Sequence, residues 1–155
     1  MSPYPLDPVD ATGPMRLVVT AFPSAAAADR AIDSALRAKL AACAQATPVR
    51  SRYWWKGQLR TDDEVVVVFK TVPKRVGALF RHLAELHPYD VPEVIEVDVA
   101  RVHGPYLAYL AETIDSEAPP PPLGGGTARP RRRPGSRRGP AARHPARTRA
   151  RPRRR

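Results

Sequence analysis

The chain has 155 residues, enough for one domain of ordinary size or for a smaller domain with a tail. Residues 1–117 carry 13 basic and all 15 acidic residues, a net charge of −2, whereas residues 118–155 carry 13 arginines and no acidic residue. The basicity of the whole chain therefore belongs to the tail and is no evidence for a nucleic-acid-binding fold.

Apolar runs and cysteine content exclude several classes of protein. The longest run of large apolar residues covers residues 65–69, which is too short for a membrane span. The first 14 residues lack the positive and apolar regions of a secretory signal. Cys43 is the only cysteine, which excludes an internal disulfide framework and a thiolate zinc cluster and fits a reducing compartment. We therefore expect a cytoplasmic protein with no membrane partner.

Both ends of the chain are predicted to be disordered. Residues 1–14 contain four prolines, and residues 118–155 are rich in proline, glycine and arginine, with Leu123 as the only large apolar residue. Such segments cannot bury enough apolar surface to offset the conformational entropy that is lost on ordering. We expect one folded domain within residues 15–117.

A strand and a helix are the first predicted elements. Residues 17–22 form a short apolar strand, and Ser24 can cap the helix that follows. Over residues 25–40 the apolar residues recur at helical spacing, and charged residues occupy the opposite side.

A long hairpin is predicted next. Residues 42–55 and 58–71 are two stretches suited to strands, and Lys56-Gly57 between them is a turn signal. Pro48 would remove a donor from the strand ladder, so we expect a bulge or an edge position there.

Three shorter elements complete the domain. A helix is predicted from Pro73 and ends at His87-Pro88, because the residue before proline avoids the helical region. Residues 94–100 alternate apolar and polar side chains, which predicts a strand with one buried face. Gly104-Pro105 opens a last short helix.

This order of elements predicts an α+β fold of the split βαβ type, a βαββαβ sandwich with a C-terminal helix. Each hairpin arm of about 14 residues would reach about 45 Å, whereas a domain of about 100 residues has a radius of gyration near 13 Å. The hairpin would therefore overhang its own helices, and we expect another copy of the chain to cover it. The alternative is that a loop interrupts shorter strands.

Five motifs resemble those of the CutA family of divalent-cation tolerance proteins, in order along residues 15 to about 113. They are Leu40-Ala41-Ala42-Cys43-Ala44, Tyr53-Trp54-Trp55-Lys56-Gly57, Glu64 with Lys70-Thr71, His87-Pro88-Tyr89-Asp90-Val91-Pro92-Glu93, and Tyr106-Leu107-Ala108-Tyr109-Leu110. The resemblance implies a ferredoxin-like fold and a homotrimer in which long hairpins pair between subunits. It also implies a role in tolerance of copper and other divalent cations, by binding and without catalysis. The alternative is a small-ligand regulatory trimer like the PII proteins, which have a similar fold.

His87 and Cys43 are the candidate metal ligands, with Cu(II) or another divalent cation as the ion. Imidazole suits copper, and a thiolate suits soft metals. In family members proposed to bind copper, a first-strand cysteine and a second histidine complete the site, but Thr20 and Leu86 occupy those positions here. The alternatives are that His87 caps the end of its helix and that Cys43 is a small buried apolar residue.

Five residues match family positions that line clefts between subunits: Trp55, Glu64, Lys70, Tyr89 and Tyr106. Glu64 and Lys70 could orient an anionic or zwitterionic small ligand, or the set could hold the trimer together. The neighbouring run Asp62-Asp63-Glu64 is interpreted as a solvated rim, because adjacent strand residues point to opposite faces.

The arginine tail is a candidate arm for nucleic acid, because such a segment can bind polyanions without sequence preference and in a salt-dependent way. The alternative is a dispensable extension from a GC-rich gene. The candidate residues are Arg131, Arg132, Arg133, Arg137, Arg138, Arg153, Arg154 and Arg155.

Two other functions occur on this fold, but the sequence does not contain the residues that they require. An acylphosphatase-like enzyme would need an asparagine to position water, and the chain contains none. An RNA-binding module would show alternating aromatics on its central strands, which residues 65–69 do not supply. We therefore predict a protein that is not an enzyme.

Overall fold

The computed structural model describes residues 15–117. The predicted order of elements is confirmed: β1 (Arg16–Phe22), α1 (Ala25–Arg37), β2 (Cys43–Trp55), β3 (Gln58–Thr71), α2 (Pro73–Leu86), β4 (Val94–Asp98) and α3 (Gly104–Asp115). The predictions for the leader and the arginine tail lie outside the described residues.

The four strands form one antiparallel sheet in the order β2-β3-β1-β4. β1 lies inside the sheet, where Val18 pairs with Phe69 of β3 and with Glu96 of β4. β2 and β4 are the two edge strands. Pro48 lies on edge strand β2 opposite Val65, so the predicted edge position is confirmed.

Local sequence signals set the helix ends. The Ser24 hydroxyl accepts a hydrogen bond from the Ala27 amide at 3.2 Å, which is the predicted cap of α1. α1 ends at Arg37 rather than at residue 40, because Lys39 adopts a left-handed conformation with φ 55°. The Leu40 amide then bonds the Ala35 carbonyl at 3.0 Å and closes the helix end.

The main core lies between the sheet and the two helices α1 and α2, which pack on one face of the sheet, called here the helix face. Its large members are fully buried, and alanines of α1 let that helix approach closely. The set includes Val18, Phe22, Val67, Phe69, Leu79 and Leu83. A second, smaller cluster places Leu110 and Ile114 of α3 against Met15 and Val72.

The prediction that the apolar side of β4 is buried is wrong, because that side is exposed. Ile95 is 46% exposed and Val97 is 40% exposed. The register places Glu96 and Asp98 on the helix face, where the Arg16 side chain pairs with both at 2.9 and 2.8 Å. The strand also ends at Asp98, two residues before the predicted end.

Five apolar side chains share the opposite side of the sheet, which we call the open face. Cross-strand pairing places Val19 between Val68 and Ile95. The neighbouring rows of residues on the same side of the sheet hold Val66 and Val97. α1 and α2 do not cover this side, and α3 packs only near its end, at Leu17. The open face comprises Val19, Val66, Val68, Ile95 and Val97.

The long hairpin extends beyond the rest of the sheet. β1 pairs with β3 only from Val65 to Thr71, so the seven pairs from Val49↔Glu64 to Trp55↔Gln58 form a two-stranded ribbon. At about 3.3 Å per residue the ribbon is about 23 Å long. Lys56 and Gly57 turn it with φ of 48° and 75°, which confirms the turn signal.

Candidate functional site

A cleft of about 710 Å³ lies where the ribbon leaves the sheet. One wall comes from the ribbon, and the other comes from the loop that follows α2, at residues 88–91 and 93. Of the five predicted cleft residues, Trp55, Glu64 and Tyr89 line this cleft. Glu64 and Tyr89 meet where the ribbon leaves the sheet, whereas Trp55 pairs with Gln58 next to the turn, six residues from Glu64.

Glu64 is the buried acidic residue of the cleft, with only 9% of its surface exposed. Its Oε1 accepts a hydrogen bond of 2.9 Å from the Tyr89 hydroxyl. Asp62 lies two residues earlier on the same side of β3 and accepts a hydrogen bond from the Tyr53 hydroxyl. The interpretation of residues 62–64 as a solvated rim is therefore wrong for Glu64, whereas the side chain of Asp63 is 90% exposed.

The two phenols of the cleft titrate above the ordinary range of tyrosine. Burial, followed by the hydrogen bond to Glu64 and its negative charge, raises the pKa of Tyr89 to about 12. The hydrogen bond to Asp62 is the largest cause that raises the pKa of Tyr53. Both hydroxyls therefore keep their protons at neutral pH and act as donors toward the carboxylates.

His87 is buried and uses both of its ring nitrogens. Nε2 lies 2.8 Å from the Ala21 carbonyl oxygen, and Nδ1 accepts a hydrogen bond of 3.1 Å from the Tyr89 amide. Because the carbonyl can only accept and the amide can only donate, the proton resides on Nε2. The ring also stacks on Phe22 at 4.6 Å between centroids. His87 thereby ties the loop to β1 and fixes the backbone of Tyr89 beside Glu64.

Neither interpretation of His87 from sequence describes this arrangement. The residue does follow the last turn of α2, but its ring reaches β1 instead of the final carbonyls of the helix. With both nitrogens engaged, the ring would have to give up a hydrogen bond before it could bind a metal. Its role as a metal ligand stays a prediction.

Lys70, Tyr106 and Cys43 gather at the other end of the hairpin. The Lys70 ammonium lies 5.7 Å from the centre of the Tyr106 ring, and Cys43 is the residue directly opposite Lys70. Burial is the main cause that raises the pKa of Tyr106, and the Cys43 side chain adds to it. Lys70 is six residues from Glu64, about 20 Å along the strand, so the two cannot orient one small ligand within a chain.

The described residues do not fit a metal site within one chain. In residues 15–117, no group of three or more His, Cys, Asp and Glu side chains could hold an ion. Thr20, in the position of the family's cysteine, is fully buried on the helix face, and its hydroxyl has no hydrogen-bond partner. Leu86 is exposed at the end of α2. The candidate tail arginines lie outside the described residues.

The sequence analysis missed as candidates Tyr53, which lines the cleft, and Asp62, which holds the Tyr53 hydroxyl. Period-two alternation could have found them, because Tyr53 shares a strand face with Trp55, and Asp62 shares one with Glu64. The register then places Tyr53 opposite Arg60, two pairs away from Asp62 and on the same face of the ribbon.

Comparison with known proteins decides the family. The sequence profile described as "CutA1 divalent ion tolerance protein" matches residues 16–113. The chain belongs to this family. The protein described as "Divalent-cation tolerance protein CutA" from Pyrococcus horikoshii is 39% identical over 98 residues, which cover 63% of this chain and 96% of that protein. Its namesake from Thermotoga maritima is 35% identical over 100 residues, which cover 64% and 99% of the two chains.

Solved structures of CutA proteins share the fold. The structure of CutA from Synechococcus elongatus aligns with a TM-score of 0.66 at 28% identity, covering 70% of this chain and 96% of that one. The CutA fold of this chain is ferredoxin-like, as the resemblance implied. These matches are to CutA proteins and do not favour the alternative of a PII-like regulator. No helix of residues 15–117 has the length and apolar character needed to cross a membrane.

Proposed function

We propose that this CutA protein is a homotrimer that acts in tolerance of copper and other divalent cations by binding them and not by catalysis. The observation that supports this most is the uncovered open face of the sheet. Ile95 and Val97 are 46% and 40% exposed beside half-buried valines of β1 and β3. A contiguous apolar patch of this kind marks an interaction surface.

The ribbon supports assembly independently of the open face. A two-stranded hairpin is marginally stable in water when nothing packs against it, and the outer part of this ribbon carries exposed Trp54 and Leu59 as a cross-strand pair. Among residues 15–117, the outer edges of β2 and β4 also lack a neighbouring strand. If copies of the chain form a ring and pair their ribbon edges, each neighbour covers a ribbon tip. The backbone groups of the edge strands then gain hydrogen-bond partners. The number three follows from the CutA resemblance.

Cation binding is proposed for the assembly, because residues 15–117 of one chain do not supply a complete donor set. Transition metals need several converging nitrogen, oxygen or sulfur donors, and a symmetric interface brings the same side chain together from each chain. The relatives from Pyrococcus horikoshii and Thermotoga maritima carry divalent-cation tolerance in their names. Tolerance of cations is therefore the function that the family supports for this chain.

Calorimetric titration of the full chain with Cu(II), Cu(I) and Zn(II), alongside light scattering, tests the proposal. We expect a mass of three chains of 17.0 kDa each and cation binding that disappears in a monomeric variant. A monomeric wild-type protein at micromolar concentration would contradict the trimer. Undiminished cation binding by a monomeric variant would contradict the shared site.

We propose the absence of catalysis because the serine–histidine contact that most resembles an activated nucleophile lacks the features of one. Ser34 Oγ lies 2.8 Å from His82 Nε2, where α1 meets α2. Within residues 15–117, no carboxylate bonds the other nitrogen of His82, and neither residue lines the cleft. The pair fits a helix–helix contact better than an activated serine, which needs an oriented base.

Nucleic-acid binding by the tail is a second proposal, supported by charge alone. Residues 118–155 hold 13 arginines and no acidic residue, next to a segment with net charge −2. Three tails in one assembly would engage one polyanion together and raise the avidity.

A further inference from the structure

The end of α1 and the start of α2 lie at the same corner of the domain. β1 and β3 are antiparallel, and each is followed by a helix that packs back on the helix face, so α1 and α2 run in opposite directions. The Thr71 hydroxyl donates a hydrogen bond of 2.6 Å to the Leu40 carbonyl. The segment that leaves α1 therefore lies against the residues that lead into α2.

Four cationic side chains belong to this corner, which we call the basic corner: Arg37, Lys39, Lys74 and Arg75. Arg37 is in the last turn of α1, and Lys39 follows it in a left-handed conformation. Lys74 and Arg75 are in the first turn of α2, which carries no acidic residue. Positive side chains at the start of a helix oppose its dipole, so the stability of α2 does not explain this pair.

A contact between the two helices shows how the basic corner is arranged. Ser34 Oγ lies 2.8 Å from His82 Nε2. Arg37 is three residues beyond Ser34, about 4.5 Å further along α1, and Arg75 is two turns before His82 on the same side of α2. Because the helices run in opposite directions, both arginines lie toward the same end of the line along which α1 and α2 touch.

Most of the charge of the basic corner is not neutralised by the described residues. Lys74 pairs with Asp115 at the end of α3, but the ion pairs of the described chain do not include Arg37, Lys39 or Arg75. The Arg75 Nε is shielded from water and has no hydrogen-bond partner there. A guanidinium group that is partly removed from water attracts an anion more strongly than a hydrated one, because the local dielectric constant is lower.

We propose that the basic corner binds the phosphate backbone of double-stranded nucleic acid without recognising its bases. A DNA duplex carries one negative charge per about 1.7 Å of its length, and arginine and lysine are among the groups that contact its phosphates. Among the described residues, no exposed large apolar side chain belongs to the last turn of α1 or the first turn of α2. Surfaces that bind membranes combine cations with exposed apolar side chains, so this composition favours nucleic acid.

This inference deepens the proposed binding of nucleic acid by the tail, and it rests on that proposal for the choice of polyanion. Residues 1–117 have a net charge of −2, so we expect the basic corner to contribute when the 13 arginines of residues 118–155 already hold the duplex. Linked weak contacts with one polymer raise the affinity together. The basic corner is on the helix face, whereas the proposed trimer assembles through the open face on the other side of the sheet.

The test measures the affinity of the full chain for a short DNA duplex by fluorescence anisotropy, at salt concentrations from about 50 to 200 mM. The decisive variant combines Arg37→Gln with Lys39→Asn. Both side chains are only half-buried, and asparagine tolerates the left-handed conformation of position 39. Each lost phosphate contact lowers the slope of log affinity against log salt by about 0.9. We therefore expect the double variant to lower the slope by about 2 and to weaken binding about tenfold.

Two further variants test the position of the charges. Arg75→Gln removes the contact from α2 and should lower the slope by about 0.9. Arg30→Gln is the matched control, because Arg30 is two turns before Arg37 on the same side of α1 and outside the basic corner. It removes the same charge and should bind the duplex as the wild type does. Unchanged far-UV circular dichroism spectra confirm that the variants are folded.

A full chain with glutamine at five tail positions separates the tail from the basic corner. We expect this tail variant to lose more affinity than the double variant does. If it binds as the wild type does, the proposal for the tail is wrong, and the double variant alone decides whether the basic corner binds the duplex. The replaced residues are Arg131, Arg132, Arg133, Arg137 and Arg138.

Four results would overturn the inference. The first is an unchanged slope and affinity of the double variant while the tail variant loses binding, which leaves the tail proposal standing. The second is an equal loss in Arg30→Gln, which would mean that total charge governs binding. The third is a double variant that loses binding to vesicles of phosphatidylserine and phosphatidylcholine but not to DNA, which would assign the basic corner to a membrane. The fourth is a wild type that does not bind the duplex at the lowest salt, which refutes the tail proposal as well.

Discussion

Ile95→Asp should convert the proposed trimer into a monomer that remains folded. Ile95 is on edge strand β4 and projects from the open face, pairing across the sheet with Val19. It is not part of either buried core cluster. A charge at this position is therefore tolerated by the isolated chain, where water reaches it, and opposed by an assembly that covers the face.

The size of the effect follows from the exposed fraction of the side chain. Full burial of an isoleucine is worth about 1.5–3 kcal/mol, and 46% of Ile95 remains exposed in the single chain. Covering the rest would contribute about 1 kcal/mol per chain. An aspartate forfeits that gain and adds a desolvation penalty of several kcal/mol per ion. Summed over three chains, the penalty is on the order of 10 kcal/mol per trimer, enough to dissociate it at micromolar concentration.

Sedimentation velocity of the full chain at micromolar concentration measures the mass directly. We expect three times 17.0 kDa for the wild type and 17.0 kDa for Ile95→Asp, with an unchanged far-UV circular dichroism spectrum. Leu86→Asp is the matched control, because it makes the same chemical change at a side chain that is 49% exposed at the end of α2, outside the open face. An Ile95→Asp protein with the mass of the wild type would refute the reasoning.

Three further predictions concern the cleft and the tail. A raised folded-state pKa means that the bonded Tyr89 phenol stabilises the fold below about pH 10, the ordinary tyrosine value. That contribution to stability is lost as pH rises through about 12. In an absorbance titration of the tyrosines at 295 nm, Tyr89→Phe should remove the step that occurs at the highest pH. A titration curve unchanged by the substitution would contradict the assignment. His87→Ala should lower the free energy of unfolding by about 3 kcal/mol, since two hydrogen bonds at a buried site are lost; urea unfolding measures the loss, and an unchanged free energy would contradict these contacts. If His87 is also a metal ligand, as the sequence predicts, calorimetry should show that His87→Ala abolishes most Cu(II) binding. In a gel-shift assay at low salt, the full chain should retard DNA, and a protein of residues 1–117 should not. Equal retardation of DNA by both proteins would place binding outside the tail.

Local signals made the elements predictable, because each is fixed by a few neighbouring residues. Ser24 caps α1, Pro73 begins α2, and Lys56-Gly57 turns the hairpin as the sequence indicates. The end of α1 was missed because a left-handed Lys39 has no signature in composition. Glycine is the residue that usually marks this conformation.

Which face of a strand is covered is a property of the whole sheet and not of the strand. The alternation of Ile95 and Val97 with Glu96 correctly predicts a strand with an apolar side. It carries no information on whether that side meets the helices or another chain. The structure places Glu96 on the helix face, paired with Arg16, so the apolar side belongs to the open face. An apolar side that is left exposed in the single chain is what a sequence adapted to assembly would contain.

The sequence selected three residues that line the cleft, but it did not predict how the selected set is divided along the hairpin. Motif resemblance selected Trp55, Glu64, Lys70, Tyr89 and Tyr106 as one set, whereas the structure divides them between the two ends of the hairpin. Distance along an extended strand explains the division, since six residues separate Glu64 from Lys70 by about 20 Å. The role of His87 required the register of β1, because its partner Ala21 is 66 residues away in sequence.

The chain of contacts from His87 to Glu64 explains why the cleft sits at the root of the ribbon. His87 ties the loop after α2 to Ala21 at the end of β1, where the sheet stops supporting β3. Its other nitrogen holds the Tyr89 amide, and the Tyr89 hydroxyl holds Glu64, the first residue of β3 beyond the last pair with β1. A carboxylate on an unsupported ribbon is thereby fixed by three elements at once. Because burial of a carboxylate is costly unless it is hydrogen-bonded, this chain of contacts stabilises the position of Glu64 at the root of the ribbon.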